Sequence, residues 1–269
     1  MNRIQHTLKN LEESGKKMLS PYITAGDPEP NMTVNIMHAL VDAGADILEL
    51  GIPFSDPMAE GAVIQAAMER ALKFGIKTDD VLAMVSEFRI KDTLTPIVLM
   101  GYMNPIMQYG YEKFAKNAKT AGIDAMIIVD MPPEESHELA SCFKAQDLYN
   151  IYLCSPTTSD QRMRLVQEYA NGYLYYVSLK GVTGSSAIDL TALKTQYNQR
   201  KTLTTLPLMV GFGIKTPEMA AAIAEFADGV IVGAALINEI HEANLAKKDC
   251  IKAGAFLINN MRLAMDNKG

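Results

Sequence analysis

The sequence predicts a (β/α)8 TIM barrel with an additional N-terminal helix, a single α/β domain over residues 1–269. Three observations carry that expectation. Short apolar runs alternate with longer segments of helical periodicity eight times from end to end, which is how βα units around a parallel sheet read. The 269 residues suit one barrel, and no low-complexity linker or composition break divides them. The polar and glycine-rich motifs fall just after the apolar runs, at the strand ends where such barrels keep their chemistry.

In chain order, an amphipathic helix over 2–14 comes first, with Ile4, Leu8 and Leu11 at helical spacing and Gly15 as its stop. It is expected to cap the barrel's bottom. Strands are expected near 19–24, 46–50, 96–100, 124–129, 150–154, 173–177, 207–211 and 228–232, each followed by a helical segment. Thr24-Ala25-Gly26-Asp27-Pro28 follows the first strand, residues 51–61 the second, Gly101-Tyr102-Met103-Asn104-Pro105 the third and Asp130-Met131-Pro132-Pro133 the fourth. Gly181 to Ser186 follows the sixth, small-residue-rich between Lys180 and Asp189, and suits a lid as well as an inert loop.

Composition narrows the class. Hydrophobic residues at 48% and charged residues at 21% fit a globular enzyme and exclude a wholly disordered chain. A net charge of −6 argues against non-specific nucleic-acid binding, which rests on clustered Lys and Arg. Cys142, Cys154 and Cys250 show no ligand spacing and leave an odd thiol if paired, which suits a reducing compartment. The N-terminus lacks a signal peptide's apolar core and no run of about 18 apolar residues occurs, so a cytoplasmic protein is expected. His6, His38, His137 and His241 fall on expected helices away from the loop ends, and neither a role nor a metal is assigned to them.

The second strand holds the strongest chemical signal. Asp46-Ile47-Leu48-Glu49-Leu50 is too short for a helix, and Gly51-Ile52-Pro53 stops it, which places Glu49 at a strand's C-terminal edge. A charge in a buried strand persists only when paired or used. Proton transfer accounts for Glu49, and so does a structural pair with a neighbouring cation; the residues alone leave both open. Pro53 and Pro57 restrict the loop that carries Asp56 and Glu60.

A second signal lies across the barrel. Gly211-Phe212-Gly213-Ile214 follows the seventh strand, and Gly233-Ala234 opens a helix after the eighth. Glycine amides and a helix N-terminus suit a phosphate, although such glycines also serve plain tight turns. Tyr173 and Tyr175 share a face of the sixth strand, and the phenol of Tyr175 is placed to reach the mouth. Packing explains such a pair equally well.

Pro21 to Pro28, Glu49 to Gly61, Met100 to Pro105, Val177 to Gly184 with its Gly-Val-Thr-Gly, and Gly211 to Ile214 together resemble the tryptophan synthase alpha chain family, in its order and spacing over essentially the whole chain. The resemblance implies a (β/α)8 barrel that cleaves indole-3-glycerol phosphate to indole and glyceraldehyde 3-phosphate. Indole then passes to a beta chain in an α2β2 complex; this chain has no cofactor, and pyridoxal phosphate belongs to that partner. It implies Glu49 as general acid then base, with Glu60 as the carboxylate that accepts the indole N–H. Tyr22, Tyr175, Thr183, Gly184, Gly211, Phe212, Gly213, Gly233 and Ala234 would bind substrate. Pro53, Phe54, Asp56, Tyr102, Asn104 and Pro132 would meet the beta chain.

Several positions depart from the family pattern. Glu60 stands where Asp is common, Ala62 where Pro is, Ala234 where Ser is, Leu179 where a basic residue is, and Tyr22 where Phe is frequent. Loss of the hydroxyl at 234 is expected to weaken phosphate binding without abolishing it. Two other readings stand beside the lyase. One is a non-catalytic barrel that binds and activates a beta chain; the other is a lyase or isomerase acting on a different sugar phosphate.

Overall fold

The computed structural model describes residues 2–178, 189–211 and 213–267. Among them nine parallel strands run as β1 (Met18–Thr24), β2 (Leu48–Gly51), β3 (Ile97–Gly101), β4 (Ala125–Ile128), β5 (Tyr149–Ile151), β6 (Leu153–Cys154), β7 (Leu174–Val177), β8 (Leu208–Gly211) and β9 (Gly229–Val232). Their order around the sheet is β5-β4-β3-β2-β1-β9-β8-β7-β6. Outer helices bury one face of the sheet and the side chains filling the barrel bury the other, so strands such as β1 and β3 are buried at every position.

The extra strand comes from one expected element. The run near 150–154 is divided at Tyr152: β5 pairs with β4, and β6 pairs with β7. The carbonyl of Tyr152 itself accepts the N–H of Tyr175 at 3.0 Å, so the ladder passes from one neighbour to the other within this single segment and the barrel closes there. Staggered closure forces each strand to shift neighbours along its length. Pro21 shows the same stagger in β1, where it sits as the ladder to β9 ends and the ladder to β2 begins. A residue without an N–H is tolerated at such a changeover.

The loop expected after the third strand is instead helical from Met103 to Tyr109, so Asn104 and Pro105 lie in a first turn. The N–H groups there have no intrahelical acceptor, which is why Pro fits. Asp130, in the next loop, accepts the Met103 N–H at 2.8 Å and ties the two rims together.

The helix Arg3–Ser14 closes the bottom as expected, burying Ile4 and Leu11. Asn2 caps it and donates to the carbonyl of Asp124 at 3.0 Å. Three aspartates order this end. Asp46, Asp124 and Asp228 each precede a strand and accept a backbone N–H from the start of another, Leu19 at 2.8 Å, Ile97 at 2.9 Å and Leu208 at 2.7 Å. Each also holds a cation: Arg262 at 3.1 Å, Arg89 at 3.0 Å with Arg3 at 2.9 Å, and Lys201 at 2.7 Å. Strand starts are thereby fastened to the outer helices, leaving the opposite end free to carry chemistry.

Candidate active site

At the C-terminal ends of the strands, glycine makes the space. A Cβ at Gly51 would overlap the Tyr22 phenol, and one at Gly211 would overlap the Tyr175 phenol. The two inward-facing positions are therefore emptied so that two tyrosine rings can enter from β1 and β7. Tyr22 Oη lies 3.3 Å from Thr24 Oγ1, and burial raises both phenols well above their usual range, which keeps them as neutral hydrogen-bonding groups.

Glu49 lies within this ring of residues. β2 runs slightly later than expected, so Glu49 is inside the strand, opposite Tyr22 and Val98, with 0% of its surface exposed. Tyr173, fully buried just before β7, donates its hydroxyl to Glu49 Oε1 at 2.8 Å. Burial pushes the Glu49 carboxyl up to about 8; the nearby Glu60 charge adds to the rise, and the Tyr173 and Ser20 hydroxyls oppose it. Among the described residues no cation is one of the groups that shift it. Among the described residues Glu49 is held by hydroxyls and not by the structural ion pair that the sequence left open. At neutral pH it carries a proton.

Glu60 closes the other side from the 51–61 loop. It is half-buried, and its carboxyl is pushed up to about 7 by desolvation, opposed by a hydrogen bond from Tyr102. Tyr102 organises this loop. Its ring stacks on Phe54 with centroids 5.3 Å apart, and its oxygen accepts the Ala59 N–H at 3.2 Å. Helix Ala62–Lys73 begins without a side-chain cap, held instead by Gln65 Nε2 donating to the Glu60 carbonyl at 2.8 Å. Across the rim, Arg70 of that helix grips Asp27 of the first loop through contacts of 2.6 and 2.9 Å.

The expected phosphate side is also at this end. Helix Ala234–Leu245 starts directly after β9 with Gly233 as N-cap, without a side-chain cap hydrogen bond. A Cβ on Gly233 would sit 3.7 Å from Tyr22, so this uncapped end adjoins the tyrosine wall. Gly213 has φ +79°, a backbone open mainly to glycine. Thr183, Gly184, Phe212, Leu179 and the lid stretch 181–186 lie outside the described residues.

The expected partner rim divides in two. Asp56 and Asn104 are exposed, and Phe54 and Pro132 are half-buried. Pro53 and Tyr102 are buried, Tyr102 at 1% exposure. Packing beneath the rim takes both side chains inward, where they support the loop that the others present. Asp56 makes its side-chain hydrogen bond to Ser55 at 2.6 Å on the exposed rim. Among the described residues no group of three His, Cys, Asp or Glu is arranged to hold a metal, and no helix is long and apolar enough to cross a membrane.

Sequence reasoning missed the roles of Tyr173 and Ser20. The spacing of Tyr173 and Tyr175 marked a shared face, yet gave no sign that Tyr173 would meet a residue 124 positions away.

Residues 8–266 match the family described as "Tryptophan synthase alpha chain". A relative so named from Legionella pneumophila strain Lens is 65% identical over all of this chain and 99% of its own length. The chain belongs to the tryptophan synthase alpha chain family. Another member, from Marinobacter nauticus, is 50% identical over 99% of both chains. Among solved structures, the alpha subunit from L. pneumophila strain Paris superposes with a TM-score of 0.95 at 63% identity, covering 99% of each chain. A tryptophan synthase chain from M. tuberculosis superposes at 0.87 with 29% identity, covering 98% of this chain and 99% of its own. As a family member the chain is a lyase that cleaves indole-3-glycerol phosphate to indole and glyceraldehyde 3-phosphate, and a beta chain is its partner.

Proposed function

We propose that Glu49 makes both proton transfers of this cleavage while Glu60 holds the indole N–H, with residues 1–269 acting as one domain. The observation that carries the reading is a fully buried carboxyl raised to about 8 by desolvation, beside a second raised to about 7. The indole ring lies between them. Glu49, protonated at neutral pH, gives its proton to ring carbon C3, and positive charge develops on the ring nitrogen. Glu60, in its ionised form, accepts the N–H and stabilises that charge more in the transition state than in the ground state. Glu49, now a carboxylate, takes the proton of the side-chain hydroxyl; the C–C bond breaks, its electron pair returns to the ring, and the aldehyde leaves as glyceraldehyde 3-phosphate. One residue is acid then base.

Tyr22 and Tyr175 form the wall against which the indole packs. The phosphate is held by amides of Gly184, Gly213, Gly233 and Ala234, with the helix end at Gly233 supplying partial positive charge, and Thr183, Gly211 and Phe212 complete the substrate site. Phe54, Asp56, Asn104 and Pro132 meet the beta chain in an α2β2 complex, with Pro53 and Tyr102 beneath them. Indole passes to that partner, whose pyridoxal phosphate does the remaining chemistry. Seating a second chain on this rim excludes water from the mouth.

Turnover of indole-3-glycerol phosphate by Glu49→Gln, with and without beta chain, tests the reading. The amide fills nearly the same space and cannot shuttle a proton, so loss of about 10²–10⁴-fold is expected. Turnover within about tenfold of the parent removes Glu49 from the chemistry.

A further inference from the structure

The active site contains two buried side-chain oxygens that make no well-formed hydrogen bond, Glu49 Oε2 and Ser20 Oγ. Unsatisfied buried polar atoms are rare, and a pair of them at a reacting group calls for a reason. Ser20 is on β1 with 0% exposure, two residues before Tyr22, so it shares the inward face that Tyr22 presents to Glu49 across the β1–β2 ladder. Glu49 Oε1 is already taken by Tyr173 at 2.8 Å. Oε2 is the atom left over, and the Ser20 hydroxyl is the neighbour that acts on this carboxyl.

We propose that Ser20 is a positioning residue for Glu49, turning its hydroxyl to Oε2 when the carboxylate forms between the two proton transfers. The inference rests on the acid-then-base role given to Glu49 above. Once the proton has gone to C3, a full negative charge sits in a pocket with no exposure to water. The titratable groups that face it are Tyr22, Tyr173, Tyr175 and Glu60. Tyr173 donates one hydrogen bond, and Glu60 opposes the charge. A carboxylate in such a place needs a donor on each oxygen, and leaving one bare is expensive. Before proton delivery Oε2 carries the proton and has less need of a donor. A serine hydroxyl rotates between staggered wells at little expense, so it can accept from Oε2–H in the acid form and donate to Oε2 in the base form. Ser20 thereby steadies the intermediate state of the catalytic residue without touching substrate.

Ser20→Ala tests this by steady-state kinetics across pH in the complex with beta chain. Loss of a group that favours the charged form raises the Glu49 pKa, so the alkaline limb of kcat/KM is expected to move up by roughly half to one pH unit. The rate kcat is expected to fall by about 3–10-fold with KM nearly unchanged, because the missing contact is to Glu49 and not to substrate. Ser20→Thr, which keeps the hydroxyl, should return both features towards the parent. A pH profile for Ser20→Ala that superimposes on the parent overturns the proposal, as does Ser20→Thr behaving like Ser20→Ala. Should Ser20→Ala not fold, Ser20→Cys, which keeps volume with a weaker donor, must shift the limb the same way, and an unmoved limb overturns the proposal. Glu49→Gln, run in parallel, separates the two claims: if it stays active the role of Glu49 fails, and if it is inactive while Ser20→Ala is unaltered only Ser20 fails.

Discussion

A carboxyl group without a cation, placed among phenols, has its acidity set almost wholly by burial, and that is the situation of Glu49. Glu60, half-buried and hydrogen-bonded by Tyr102, ends lower. The proposed mechanism calls for Glu49 protonated and Glu60 ionised at the outset, and burial raises both carboxyls, Glu49 the further of the two. For the free enzyme kcat/KM should therefore be bell-shaped, with apparent limbs near 7 and 8, values that belong to the coupled pair as much as to either residue. A profile flat from below 7 to above 8 would remove both carboxyls from the rate. Charge at position 60 should matter more than length: Glu60→Asp is expected to keep most turnover, and Glu60→Gln to lose about 10²–10³-fold. A helix-cap role for Glu60 would predict normal turnover and a lowered melting point for Glu60→Gln; the Gly61 N-cap and the turn of Glu60 towards Tyr102 argue against it. Glu49 stands out in the sequence because it puts a charge in an apolar run, and Glu60 because it is a carboxylate in the loop that Pro53 and Pro57 restrict, where the family resemblance puts its second carboxylate. The hydroxyl neighbours of Glu49 do not stand out, since Tyr173 and Ser20 become partners only when the barrel closes.

The element that connects these residues to the partner rim is the 51–61 loop, and Tyr102 is what fixes it. Stacking on Phe54, the bond from Ala59 and the bond to Glu60 all converge on one side chain. Tyr102→Phe keeps the stacking and removes both hydrogen bonds. The expected result is a roughly tenfold loss of turnover, of the size of one or two net hydrogen bonds, together with an acid limb moved to higher pH because the group that favoured ionised Glu60 is gone. Stopped-assay rates across pH check it, and an unmoved acid limb would separate Tyr102 from Glu60. Reading the loop from sequence worked where proline and glycine punctuate it. It gave no sign that Tyr102 would fix the loop from beneath, and it failed at Asn104-Pro105, whose proline reads as a break although a first helical turn accommodates it. The division of the fifth strand at Tyr152 was equally hidden, because it follows from the stagger of the closed sheet and not from any local residue.

Across the whole molecule, the two ends of the barrel treat buried carboxylates in opposite ways. At the bottom, Asp124 and Asp228 take backbone N–H groups and cations, as Asp46 does, and fasten strand starts to outer helices. At the top, the hydrogen bonds that act on Glu49 among the described residues come from hydroxyls. The eightfold alternation of strand and helix was plain in the sequence, whereas these aspartates were not, since each looks like an ordinary polar residue before a strand until its distant partners are known. The contrast has a consequence for stability. Burial raises Glu49 to about 8, Glu60 to about 7 and Asp46 to about 6, all above the values of an unfolded chain. The folded state then binds these protons more tightly than the unfolded state does. The stability they contribute is full below about pH 4 and is lost as pH rises through 6, 7 and 8. Denaturant unfolding should accordingly show a protein less stable near pH 9 than near pH 6, by an amount on the order of a few kcal/mol. Glu49→Gln removes the largest of these contributions while keeping the Tyr173 bond, so the variant without lyase activity should be the more stable protein at alkaline pH and close to the parent near pH 5, below the range in which Glu49 ionises in the fold. If instead Glu49→Gln is destabilised equally at both pH values, the carboxyl is not held against its preference for water, and the acid form on which the first proton transfer depends would have to be supplied by the bound substrate.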